Sequence, residues 1–238
     1  GTATATISES GDNPAAVVQA NPTAGFSLIT YTGTGDAGTI AHGLGAVPTM
    51  MIIKNRDVAD SWAVYHGANT AAPATDYLIL DTNAATADSA TMWADTAPTD
   101  SVFTVHDSHQ VNADGEKYVA YVFADVEGYS KMGGYFGNTS ADGAFVYTGF
   151  RPAFLLVKSS ISGSYSWYLF DNTRNPHNVG GLALFADTGA VEYSSVPVDF
   201  LSNGFKWRTT DGGVNNADYD PYIYMAFAEA PFKYANAR

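Results

Sequence analysis

Tyr118-Val119-Ala120-Tyr121-Val122-Phe123-Ala124-Asp125 is answered 104 residues later by Tyr222-Ile223-Tyr224-Met225-Ala226-Phe227-Ala228-Glu229. Such runs of β-branched and aromatic residues read as strands. Recurrence at a fixed spacing makes the chain read as two copies of one β-rich unit. Working outward from this pair, Tyr31, Gly33, Ala37, Gly45, Pro48 and Lys54 recur at Tyr135, Gly137, Ala141, Gly149, Pro152 and Lys158, again 104 positions on. Met50-Met51-Ile52-Ile53 meets Phe154-Leu155-Leu156-Val157, each run enclosed by a Pro and a Lys. Ser61-Trp62 meets Ser166-Trp167 after one inserted residue.

The spacing predicts strands over Phe26–Thr32, Met50–Lys54, Trp62–Tyr65, Tyr77–Asp81, Val102–Val105 and Tyr118–Ala124 in the first unit. Gly, Asn, Asp and Pro clusters separate them, the pattern of a sandwich or barrel. Asp114-Gly115 and Asp211-Gly212 read as hairpin turns. Thr82–Trp93 is the best helix candidate, but it lacks an apolar face and reads as a loop. The expected fold is all-β: two tandemly duplicated β-sandwich units of jelly-roll or lectin-like type, over 26–130 and 131–238. Residues 1–25, small and polar, read as a linker or an entry strand. The opening Gly1-Thr2-Ala3, without Met or an apolar signal segment, reads as a fragment or a processed product.

Composition narrows the function. The 238 residues carry a formal charge of −13, which argues against binding a phosphate backbone. No apolar run approaches the ~20 residues that span a bilayer, so no membrane insertion is expected. Without Cys there is neither a disulfide framework nor thiolate chemistry. No Gly-x-Ser-x-Gly elbow and no phosphate-cradling glycine loop opens a helix, so the chain reads as a non-enzyme with no catalytic residues.

Candidate contact residues come from the differences between the copies. The matched Trp62 and Trp167 read as core anchors, because both units keep them. Trp93 and Trp207 are unmatched and lie in polar stretches, so they read as exposed contacts, together with His109, Tyr193 and Tyr219. His106-Asp107-Ser108-His109 holds two imidazoles but places no third metal ligand. The acidic stretches Asn112–Glu116 and Asp211–Asp220 offer hard oxygen ligands, which leaves calcium open, although no loop has the EF-hand register. Otherwise no cofactor is expected.

Three stretches carry a family resemblance: Val146-Tyr147-Thr148-Gly149-Phe150-Arg151-Pro152, Val198-Asp199-Phe200-Leu201-Ser202-Asn203-Gly204-Phe205-Lys206, and Tyr222–Glu229 followed by Pro231-Phe232-Lys233-Tyr234. The set resembles the C-terminal domain of tail fibre and related virion appendage proteins of tailed phages, many of them marine. Ala120–Tyr129 and the Trp93–Thr99 loop look like the same family, so the resemblance covers about residues 26–238. It implies an extracellular virion location and binding of a host-surface receptor, a glycan or a protein. It also implies contact with other virion subunits and a homo-oligomer, by analogy a trimer. A purely structural fibre or decoration module is the alternative, and a polysaccharide-depolymerising tailspike is a third reading.

Overall fold

A computed structural model describes residues 3–216 and 220–230. The chain divides into two compact units, Gly1–Leu80 with Thr86–Asp125 and Asp81–Ala85 with Val126–Arg238. The division at 125/126 lies five residues before the expected 130/131. The protein is all-β, and its α-helices are single turns.

The first unit contains β1 (Ala3–Ile7), β2 (Ala16–Asn21), β3 (Phe26–Thr32), β4 (Gly38–Ala41), β5 (Met50–Asn55), β6 (Ala63–His66), β7 (Asp76–Ile79), β8 (Ala87–Asp88), α1 (Ala90–Trp93), β9 (Val102–Val105) and β10 (Lys117–Phe123). Its main sheet runs β1-β2-β3-β10-β5-β6-β7-β8, and β4 pairs with β9 in a second, two-stranded sheet. Strict alternation sends Ile29 and Tyr31 of β3 and Tyr118, Ala120 and Val122 of β10 inward. There they share one core with Ile40, Phe103 and Val105 of the small sheet. Two sheets closing on one core make this unit sandwich-like.

The second unit contains β11 (Ser130–Phe136), β12 (Phe145–Tyr147), β13 (Pro152–Ser159), β14 (Tyr168–Asp171), β15 (Leu184–Phe185), β16 (Val198–Leu201), β17 (Gly204–Trp207), α2 (Gly212–Asn215) and β18 (Pro221–Ala228). Its sheets run β11-β18-β13-β14-β15 and β12-β17-β16. The first order has the same connectivity as β3-β10-β5-β6-β7.

The units also share a polar framework. Tyr118 lies opposite Tyr31 and Tyr222 opposite Tyr135. The rings stack at 5.1 Å and 15° in the first pair, and at 5.1 Å and 13° in the second. Each hydroxyl reaches the loop before the central strand. Tyr31 donates to Val111 O, and Tyr135 to Val214 O at 2.7 Å. Tyr118 donates to His109 O and accepts from Ala113 N, both at 2.8 Å. Tyr222 donates to Gly212 O at 2.8 Å and accepts from Asn216 N at 2.9 Å. Buried backbone groups need such partners. Asn112 and Asn215, both fully buried, tie the same loops to the chain after β3 and β11. Asn112 accepts from Thr34 N and donates to Asp36 O, and Asn215 accepts from Asn138 N and donates to Ser140 O. The loops come so close that a Cβ on Gly33 would lie 2.1 Å from Ala113 O, and one on Gly137 2.2 Å from Asn216 O. Only glycine fits at either place.

The matched lysines have a common structural task. Lys54 Nζ donates to Asn55 O and Val58 O, and Lys158 Nζ to Ser159 O and Ser162 O. Each closes the loop after its strand. Burial pulls the Lys158 ammonium down to about 8, with Asp187 opposing.

Several expectations are corrected. Residues 3–21, expected as a linker or an entry strand, form the β1–β2 hairpin on the main sheet. Ala16, Val18 and Ala20 point into the core, and Asn13 Oδ1 accepts from Thr39 N at 2.7 Å. Asp211-Gly212 is no hairpin: the Asp211 side chain caps α2 by accepting from Gly213 N at 2.8 Å. Thr82–Trp93 holds β8 and the one-turn α1, capped by Ser89. Trp62 and Phe123 of the first unit and Phe227 of the second are only partly buried, whereas Trp167 is buried. Trp62 instead stacks on Tyr121 at 6.3 Å.

Burial pushes six tyrosine hydroxyls, Tyr31, Tyr65, Tyr118, Tyr135, Tyr168 and Tyr222, above their ordinary value of 10.0. The folded state keeps these protons where the unfolded chain loses them, so stability is full below pH 10 and is lost as pH rises beyond it. Spectrophotometric titration should show two steps, exposed tyrosines first and the buried set only together with loss of the β-sheet circular dichroism. Ionisation of all 15 tyrosines in one step with the dichroism intact would contradict the framework.

Candidate functional site

The residues expected at an exposed site separate into distinct environments. Trp93 is 1% exposed and Trp207 0%, so both belong to the core and not to a contact surface. Trp93 closes α1, where its Nε1 donates to Asp76 O at 3.0 Å and its ring meets Tyr65 edge-on at 5.9 Å. Trp207 packs among Phe170, Phe205 and Tyr135, with ring centroids at 5.5, 5.6 and 6.3 Å. The signal for Trp207 was present in Phe205-Lys206-Trp207-Arg208, which alternates apolar and charged residues. A period of two turns Phe205 and Trp207 inward and Lys206 and Arg208 outward. Lys206 and Arg208 then meet Asp142 at 2.9 and 3.2 Å, and Arg208 meets Asp199 at 2.6 Å. Placing Trp93 needed the capping pattern, because Thr91-Met92-Trp93-Ala94-Asp95 does not alternate apolar with polar residues.

His109 and Tyr193 are exposed, in different units. The His109 carbonyl belongs to the Tyr118 framework. Tyr193 exchanges backbone hydrogen bonds with Ala183 at 2.8 and 2.9 Å, and its ring lies 6.2 Å from Phe185. Tyr219 lies outside the described residues.

The acidic stretches are largely committed to internal partners. Besides Asn112, Asn215 and the Asp211 cap, Glu116 Oε2 accepts from Asn55 Nδ2 and the Tyr118 hydroxyl. His106 Nδ1 lies 3.0 Å from Asp107 Oδ1. Among the described residues no group of three or more His, Asp or Glu is placed to hold a metal ion.

A surface that sequence reasoning left unassigned stands on β12, an edge strand of the three-stranded sheet. Val146 faces the core, while Phe145 and Tyr147 face outward at 45% and 59% exposure. A strand fixes these rings two residues apart on one face, roughly 7 Å between Cα atoms. Across the ladder Tyr147 faces Gly204 and Phe145 faces Lys206. At Gly204 the strands come so close that a Cβ would lie 2.1 Å from Val146 O. Phe145 partly covers that glycine, since a Cβ there would lie 3.1 Å from its Cε2. Behind the pair, Lys131 Nζ donates to Tyr147 O at 3.2 Å and lies 5.5 Å from the ring centroid. The Lys131 cation thus helps to orient the ring, and Gly149 comes close to it, since a Cβ there would lie 3.6 Å from the Tyr147 hydroxyl. The signal in Phe145-Val146-Tyr147 was again alternation, with the aromatics at the outward positions.

Replacing Trp93 or Trp207 by Ala should lower stability by about 3–5 kcal/mol in urea unfolding. Tyr147→Ala should change it by less than about 1 kcal/mol, as expected for an exposed site. Unchanged unfolding midpoints for both tryptophan variants would refute the core assignment.

One family model matches residues 2–231, nearly the whole chain, and its description is a domain of unknown function, DUF7483. No curated protein and no solved structure matches the sequence. No helix among the described residues is long and apolar enough to cross a membrane. The chain therefore belongs to the DUF7483 family.

Proposed function

We propose that this chain is a non-enzymatic receptor-binding domain of a phage tail appendage, a fibre or tail tip, displayed on the virion and directed at a host-surface glycan. The observation that carries the reading is the outward pair Phe145 and Tyr147 on a regular edge strand. Aromatic faces held rigidly at the surface stack on the apolar faces of sugar rings at little entropic cost. The resemblance of Val146–Pro152 to phage appendage domains falls on the same stretch.

We also read the two units as products of one tandem duplication, followed by divergence at the surface. The shared strand order and the paired Tyr–Asn frameworks support this. A frame repeated in both units leaves recognition to the unmatched positions. The chain acts as a homo-oligomer, a trimer by analogy, so that weak single sites gain avidity. Chains of −13 repel one another, which favours an apolar interface that tightens as salt rises.

Tyr147→Ala tests the reading, because Tyr147 is the more exposed ring and does not cover the Gly204 backbone. Adsorption to host cells should fall about tenfold with folding and assembly intact. Loss of assembly with adsorption per particle retained would favour the structural-module reading. Unchanged adsorption and assembly would remove Tyr147 from the site.

A further inference from the structure

Nine basic side chains lie among the described residues, and seven are committed. Lys54 and Lys158 close loops on carbonyls, and Lys131 lies against Tyr147. Arg151, Arg174, Lys206 and Arg208 sit in ion pairs. Arg56 and Lys117 alone have neither an ion pair nor a side-chain hydrogen bond among the described residues. They are neighbours, since Arg56 N donates to Lys117 O at 2.8 Å. Both line one cleft of about 280 Å3 in the first unit.

Ile7, Ala15, Ala16 and Tyr31 also line the cleft, and its remaining residues come from the outward face of the main sheet. Thr6 lies opposite Val17, Val17 opposite Thr30, and Thr32 opposite Lys117. Three hydroxyls and one apolar side chain therefore share a face with the two cations. The neighbouring acids Asp57 and Glu116 have other hydrogen-bond donors. Asp57 Oδ2 accepts from the Lys117 backbone N at 2.9 Å, and Glu116 accepts from Asn55 and Tyr118.

The fold does not require these charges. Ser160 and Pro221 stand at the corresponding places in the second unit and keep the same backbone contact, Ser160 N to Pro221 O at 3.1 Å. The hairpin that supplies Thr6 and Val17 has no equivalent among the described strands of that unit. Like charges on adjacent strands disfavour each other. Both side chains are exposed, and the two cations stand side by side without an ion pair on a chain with 24 carboxylates.

We propose that this cleft binds a single acidic sugar residue, a uronate, through its carboxylate. The Arg56 fork takes the carboxylate oxygens and Lys117 adds a second charge. Thr6, Thr30 and Thr32 exchange hydrogen bonds with the sugar hydroxyls, and Val17 lies under the ring. The volume is just below the range of roughly 300–1,000 Å3 typical of drug-sized ligands, which fits one pyranose. The inference does not depend on the phage reading or on Tyr147.

The test is calorimetric titration of the whole protein with methyl glucuronide, with methyl glucoside and inorganic phosphate as comparators. The glucuronide should bind at least about tenfold more tightly than the glucoside, and Arg56→Gln and Lys117→Gln should each weaken it about tenfold. Arg56→Lys, which keeps charge but loses the fork, should give a smaller loss. Because neither side chain has an internal partner, the melting temperature should stay unchanged in all three variants. Equal binding of glucoside and glucuronide, tighter binding of phosphate, or indifference to both glutamine variants would each overturn the assignment.

Discussion

A tyrosine on the central strand of each unit carries out three tasks at once. Tyr118 and Tyr222 stack on their cross-strand partners, donate to a loop carbonyl and accept from a loop amide. In a dry core an unmet hydroxyl or amide costs about 1–3 kcal/mol, so such an arrangement is stable only when every member is satisfied. Here the loops pass inward across the sheet edge, which brings backbone polar groups into the core. The tyrosine hydroxyls and the buried Asn112 and Asn215 make that path possible. Gly33 and Gly137 give the loops room to pass.

From this framework follows the division between frame and surface. Lys54 and Lys158 were matched in the sequence, and both are absorbed in closing loops. Arg56 and Lys117 were unmatched, and they are the cations without internal partners. The same holds on β12, where the inward Val146 serves the core, while the outward Phe145 partly covers Gly204 and Tyr147 meets Lys131.

How far the sequence could be read depends on which residues carry the signal. Phe26–Thr32 and Val102–Val105 were legible to the residue because large apolar groups alternate with Thr and Ser. The β1–β2 hairpin was legible only as a linker or an entry strand, because its inward positions are Ala16, Val18 and Ala20, whose small side chains give little hydrophobic contrast. Trp93 and Trp207 were misplaced because lack of a counterpart and a polar stretch suggested exposure, whereas alternation at Phe205-Lys206-Trp207-Arg208 and the Ser89 cap decided the direction. The cleft at Arg56 was invisible, since it needs residues from β1, β2, β3 and β10 brought together by strand order. Asp211-Gly212 shows that one dipeptide serves a turn or a helix cap, and tertiary context decides which.

Native-state hydrogen exchange tests the framework most directly. The amides of Ala113 and Asn216 sit in loops, yet each donates to a buried tyrosine oxygen. They should exchange only through global unfolding of their unit, as slowly as the amides of β10 and β18. Tyr118→Phe should abolish the protection at Ala113 and leave Asn216 protected. Exchange of both amides in the unaltered protein at the rate of exposed turn residues such as Asp114 would contradict the account.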